Sequence, residues 1–126
     1  MAVEDRFRTL CEGISHPKSG EFAELLCDVL ELHLKKSSDY GVPGDPLLNL
    51  RCSSEYGIDP WLATAIRAND KTTRLKSFAR TGVLENEGVE DTLLDLSAYM
   101  LLVLILFREK ADNKDEATRH AGAPGR

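Results

Sequence analysis

Apolar side chains recur along this chain at intervals of three and four, the period of a helix, and strand-like alternation is scarce. Val3, Phe7, Leu10 and Ile14 define a first short helix over 1–14, stopped by Ser15-His16-Pro17. Ser19-Gly20 opens a second helix over 21–38, with Phe22, Leu25, Leu26, Val29 and Leu30 on one side and Glu24, Asp28, Glu31 and Lys35 opposite. Cations in its last turn suit the helix dipole, Gly41 suits a left-handed cap, and Pro43 bars continuation. Asp45-Pro46 and Asp59-Pro60 each place an acceptor before a proline at the first helical position. They predict a short helix over 46–56, ending at Gly57, and a long one from 60 to about 79, ending near Thr81-Gly82. The last helix is predicted over 90–107, apolar on every side, as expected of a helix enclosed by other helices.

These elements predict an all-α, four-helix-bundle-like single domain over 1–108 with one short extra helix, followed by a polar, disordered tail over 109–126. Composition agrees: 126 residues suffice for one core, and hydrophobic residues reach 42% while aromatics are only 6%. The run over 96–107 is too short to span a bilayer and is bounded by Asp95 and Arg108, so no membrane span is expected. Three cysteines without C-x-x-C spacing, and no apolar leader, point to a reduced, cytoplasmic setting. A net charge of −5 argues against binding duplex nucleic acid or anionic membranes. Any phosphate site must therefore be local.

The last helix carries the chemical problem. Asp91 and Asp95 share a face, with Tyr99 one turn on. Asp91 lies in the first turn, where the dipole favours an acid, but Asp95 lies deeper and requires a cation, strong donors or a metal. Their like charges cost roughly 0.2–0.5 kcal/mol, which a divalent cation between them would reverse. The preceding helix reverses the charge balance: Arg67, Lys71, Arg74, Lys76 and Arg80 against Asp70 give a local +4. Arg67, Lys71 and Arg74 form one basic stripe, an arrangement that suits phosphates. The competing structural reading pairs this stripe with the acidic rows of neighbouring helices, and a site awaiting substrate satisfies both. Asp28-x-x-Glu31 offers further metal-ligating oxygens or a solvated face; His33 falls on the apolar side as a core histidine.

The succession Lys36-x-x-Asp39-Tyr40-Gly41, Asn49, Asp70-Lys71-x-x-Arg74-Leu75 and Asp91-x-x-x-Asp95-x-x-x-Tyr99 resembles nucleotide modification associated domain 1, a small helical domain common in phages, over residues 35–107. The resemblance implies a role in nucleotide or DNA-base metabolism, in a host cytoplasm if phage-encoded. Its matching positions here are Asp39, Tyr40, Asn49, Asp70, Lys71, Arg74, Asp91 and Asp95. The architecture is also similar to the all-helical pyrophosphohydrolases of the MazG and dimeric dUTPase kind, which hold magnesium through E-x-x-E and E-x-x-D pairs. This chain departs from that pattern, because its long helix after Asp28-x-x-Glu31 is basic and its second acid pair is spaced Asp91-x-x-x-Asp95.

The expected function is magnesium-dependent nucleotide processing, with cleavage of a nucleoside triphosphate to pyrophosphate as the candidate reaction, in a homodimer. Asp91 and Asp95, joined by Asp70 or Glu31, would hold Mg2+. Lys71 and Asp95 would serve catalysis; Asp39, Tyr40, Asn49, Arg67, Lys71 and Arg74 would bind substrate. Two alternatives stand beside it: a non-catalytic nucleotide-binding or accessory subunit of a base-modification pathway, and a structural helical interaction domain.

Overall fold

A computed structural model describes residues 1–40, 45–83 and 88–121, with side chains over that span except those of 38–40 and 117–121. The fold is all-α: α1 (Val3–Glu12), α2 (Pro17–Tyr40), α3 (Leu48–Arg51), a 3-10 turn (Cys52–Tyr56), α4 (Pro60–Thr81) and α5 (Val89–Ala121). There is no strand among the described residues, and no helix long and apolar enough to cross a membrane.

Helix ends follow local chemistry, with instructive departures. α2 starts at Pro17 rather than beyond Ser19-Gly20, because proline needs no donor in a first turn and His16 Nδ1 accepts the Lys18 N–H at 3.0 Å. The segment expected as one helix over 46–56 divides into α3 and the 3-10 turn, and Gly57 closes it in the left-handed region at φ 75°. Asp45 does act as a turn acceptor, taking the Leu47 N–H at 3.1 Å. Asp59 precedes Pro60 as expected, but its side chain makes no cap bond; Lys110 of α5 holds it instead. Gly82 ends α4 at φ 74°, its N–H donating to Phe78 O at 2.7 Å.

α4 and α5 form an antiparallel hairpin: Asp59 meets Lys110, the Trp61 and Phe107 rings meet edge to face at 5.6 Å, and Lys71 meets Asp95. α2 lies against α5 less extensively, and α3 with the 3-10 turn covers α4. Among the described residues, Val29, Leu47, Thr64, Ala68, Thr92 and Leu106 are buried. Thr64 and Thr92 turn their hydroxyls back onto Pro60 O and Gly88 O, which satisfies them inside the core.

Two expectations about burial are corrected. α5 is not enclosed, since α2 and α4 cover only one half of it and Leu93, Met100, Leu101, Leu104, Ile105 and Phe107 are exposed. Of the stripe expected to bury α2, only Val29 is buried; Phe22, Leu25, Leu26 and Leu30 are exposed. The inner face of α2 turns slightly aside from that stripe, through Val29, Leu32, His33 and Lys36. Residues 109–121, expected as a tail, continue α5. Glu109 and Lys110 anchor that extension to Arg51 and Asp59.

Candidate functional site

Three helices deliver charge to one point. The last turns of α2 present Lys36, the middle of α4 presents Lys71, and the second turn of α5 presents Asp95. Lys36 Nζ donates to Asp95 Oδ1 at 2.8 Å, and Lys71 Nζ lies 2.9 Å from Asp95 Oδ2. The Asp95 side chain is only 12% exposed and Lys71 16%, against 45% for Lys36, so the pair on the α4 side is the desolvated one. Burial pushes the Asp95 carboxyl up, but the hydrogen bonds and charges of Lys36 and Lys71 outweigh it and hold it below its ordinary value. Asp95 thus has the cationic partners that its depth in the helix demanded.

Beside this triad a cavity of about 340 Å³ opens between α2, α3, α4 and α5. Lys36, Arg67, Asp95, His33, Ser37, Asn49 and Tyr99 supply its polar groups. Leu32, Leu47, Leu50, Ala98 and Leu102 supply apolar walls. Lys36 Nζ stands 5.9 Å from the centre of the Tyr99 ring, within cation–π range. Concave, largely apolar and edged by a few charges, the cavity has the size and make-up of a small-molecule site. Two ammonium groups around one carboxylate, with a guanidinium at the rim, leave it positive within a chain of net charge −5.

Of the residues singled out from sequence, Asp95, Arg67 and Asn49 line this cavity, and Lys71 adjoins it through Asp95. Asp91 is exposed and faces a neighbouring, more open groove with Asp28, Glu31, Lys35 and Asp95. Asp70 is exposed on α4, and Arg74 is half-buried one turn beyond Lys71; neither is among the described residues lining the cavity. The side chains of Asp39 and Tyr40 lie outside the described residues. Among the described residues no three His, Cys, Asp or Glu side chains are grouped to hold a metal ion. Glu31, Asp91 and Asp95 line the open groove together, and Asp70 lies apart from them on α4.

Lys36, His33 and Tyr99 are the contributors that the sequence reading left out of the site. The signal for Lys36 was present: it follows Leu32 by four residues and Val29 by seven, which puts it on the inner face of α2 rather than at a solvated end.

No family model matches the chain, and neither a curated protein nor a solved structure matches it.

Proposed function

We propose that this chain binds a nucleotide in the cavity between α2, α3, α4 and α5. The observation that carries this reading is the pairing of Lys36 and Lys71 with the single carboxylate of Asp95, at the wall of a largely apolar cavity that Arg67 also lines. Phosphate oxygens would take the lysine ammonium groups and the Arg67 fork, while the apolar walls and the Tyr99 ring would accept base and sugar, with Asn49 as a hydrogen-bonding partner. The resemblance of residues 35–107 to nucleotide modification associated domain 1 supports the same ligand class. Magnesium enters as the counter-ion that accompanies a triphosphate.

Calorimetric titration with a panel of deoxynucleoside triphosphates, with and without magnesium, tests the proposal. Saturable binding of at least one nucleotide is expected, weakened about tenfold or more by Lys71→Ala and by Arg67→Ala. Absence of binding by every nucleotide, or binding indifferent to both substitutions, overturns it.

Turnover is a second reading, favoured by the position of Asp95 at the cavity wall, where phosphate would displace the lysines from it. Release of pyrophosphate and monophosphate should then occur with the wild type and cease with Asp95→Asn. If binding is measured and no product forms, the chain is a nucleotide-binding or accessory subunit. If neither is found, Asp95 is a strut that joins α2, α4 and α5 in a structural helical domain.

A further inference from the structure

We infer that the open face of α5 is where a second copy of this chain docks, antiparallel, across a two-fold axis near Met100. Leu93, Ser97, Met100, Leu104 and Phe107 follow one another at steps of four, three, four and three, the spacing of a helix–helix seam. Leu93, Met100, Leu104 and Phe107 are each 44–50% exposed, and Leu101 and Ile105 widen the stripe. Apart from the edge of the Trp61 ring against Phe107, no element among the described residues covers it, because α2 and α4 lie mainly against the half of α5 that carries Asp95, Tyr99 and Leu106.

The chain exposes 9712 Å², whereas a folded monomer of 14.0 kDa is expected to expose about 6,700 Å². A stable protein interface removes about 800 Å² from each partner, and obligate homodimers remove more. That excess is shared by α1, the outer side of α2 and the outer side of α5, and the α5 stripe is one part of it.

The occupant is identified by the symmetry of the stripe itself. Folded back on a centre at Met100, Leu93 meets Phe107 and Met100 meets its own copy, so the apolar seam faces its own reverse. Charge agrees. Glu90 and Arg108 bracket the stripe and are eighteen residues apart, a whole number of helical turns, so they stand on the same flank. Two-fold symmetry brings like flanks together in an antiparallel pair, which sets Glu90 of each copy beside Arg108 of the other. Both residues are exposed and neither has an ion-pair partner within the chain among the described residues. The cavity opens on the other side of α5, so docking and ligand binding fail independently.

Sedimentation equilibrium of the full chain should give twice the monomer mass. Leu104→Glu, at a position exposed in the monomer, should weaken association by about thirtyfold or more while leaving the helical circular dichroism unchanged. Arg108→Glu should weaken it too, and adding Glu90→Arg should restore it. With Cys11, Cys27 and Cys52 replaced by serine, Met100→Cys should oxidise to a disulfide-linked dimer. A monomer at all concentrations overturns the inference, as does a dimer insensitive to Leu104→Glu and to the charge reversals, which would place the contact elsewhere, for instance on Phe22, Leu25, Leu26 and Leu30.

Discussion

At Asp95 the cost of burying a carboxylate is offset by two ammonium groups of unequal exposure, and the inequality sets what each substitution should do. Asp95→Asn leaves Lys71, the more buried cation, without its charged partner and should destabilise the fold by about 1–3 kcal/mol in urea unfolding. Lys36→Met removes a half-exposed partner and should cost no more than about 1 kcal/mol. A larger loss at Lys36 than at Asp95 would contradict this ranking. The pH dependence follows from the direction of the Asp95 shift. Because the folded carboxyl lies below its ordinary value of 3.8, its contribution is complete above that value and disappears as pH falls through the folded one. The stability gap between wild type and Asp95→Asn should therefore hold near neutrality and close below about pH 4 in unfolding measured across the acid range. The need for a cation, strong donors or a metal at Asp95 follows from sequence periodicity, which leaves Lys71 and Arg74 as candidate cations; the structure supplies Lys71. Lys36 shares the register of Val29 and Leu32, but a lysine near a helix end also has a local explanation in the dipole, and its partner lies 59 positions away.

Among the elements, α3 is held less by its own four residues than by Arg51, whose guanidinium spans two acids. Arg51 Nη2 lies 2.6 Å from Glu109 Oε1, its Nε donates to Glu109 Oε2 at 3.1 Å, and its Nη1 donates to Asp45 Oδ1 at 2.5 Å. The hydrogen bonds that Arg51 donates to Glu109 and Asp45 raise its pKa, and Arg51 in turn lowers that of Asp45. Arg51→Ala should loosen both α3 and the far end of α5, at about 1–2 kcal/mol, and hydrogen exchange over 45–56 and 105–112 should rise together. Arg51→Lys should not restore protection, because a single ammonium cannot fork across Glu109 while holding Asp45. Exchange that rises in α3 alone would show that Glu109 is not part of the tie. This coupling explains why α5 runs beyond Arg108: the polar run Glu109-Lys110 reads as a tail until its partners Arg51 and Asp59, from distant sequence, are placed beside it. Purely local signals fared better. Gly82 was expected as a stop and closes α4 at φ 74°, a conformation that should make Gly82→Ala destabilising by about 1 kcal/mol in thermal unfolding.

For the whole molecule, hydrophobic pattern specifies which side chains avoid water but not which surface covers them. The apolar circumference over 90–107 was read as enclosure by the chain's own helices; half of it is so covered, and the rest faces outward along Leu93, Met100 and Leu104. If a second copy covers that half while a nucleotide occupies the cavity on the other side of α5, the two events should act separately on the melting temperature. Dimerisation makes the melting temperature rise with protein concentration, and ligand adds RT ln(1 + [L]/Kd), about 2.7 kcal/mol at a hundredfold excess over Kd. The wild type should show both dependences. Leu104→Glu should lose the concentration dependence and keep the ligand shift, whereas Lys71→Ala should keep the first and lose the second. Scanning calorimetry of the three proteins at two concentrations, with and without a deoxynucleoside triphosphate, resolves the four cases. Loss of both responses in either variant would mean that the faces of α5 are coupled, and that dimer and pocket form one unit.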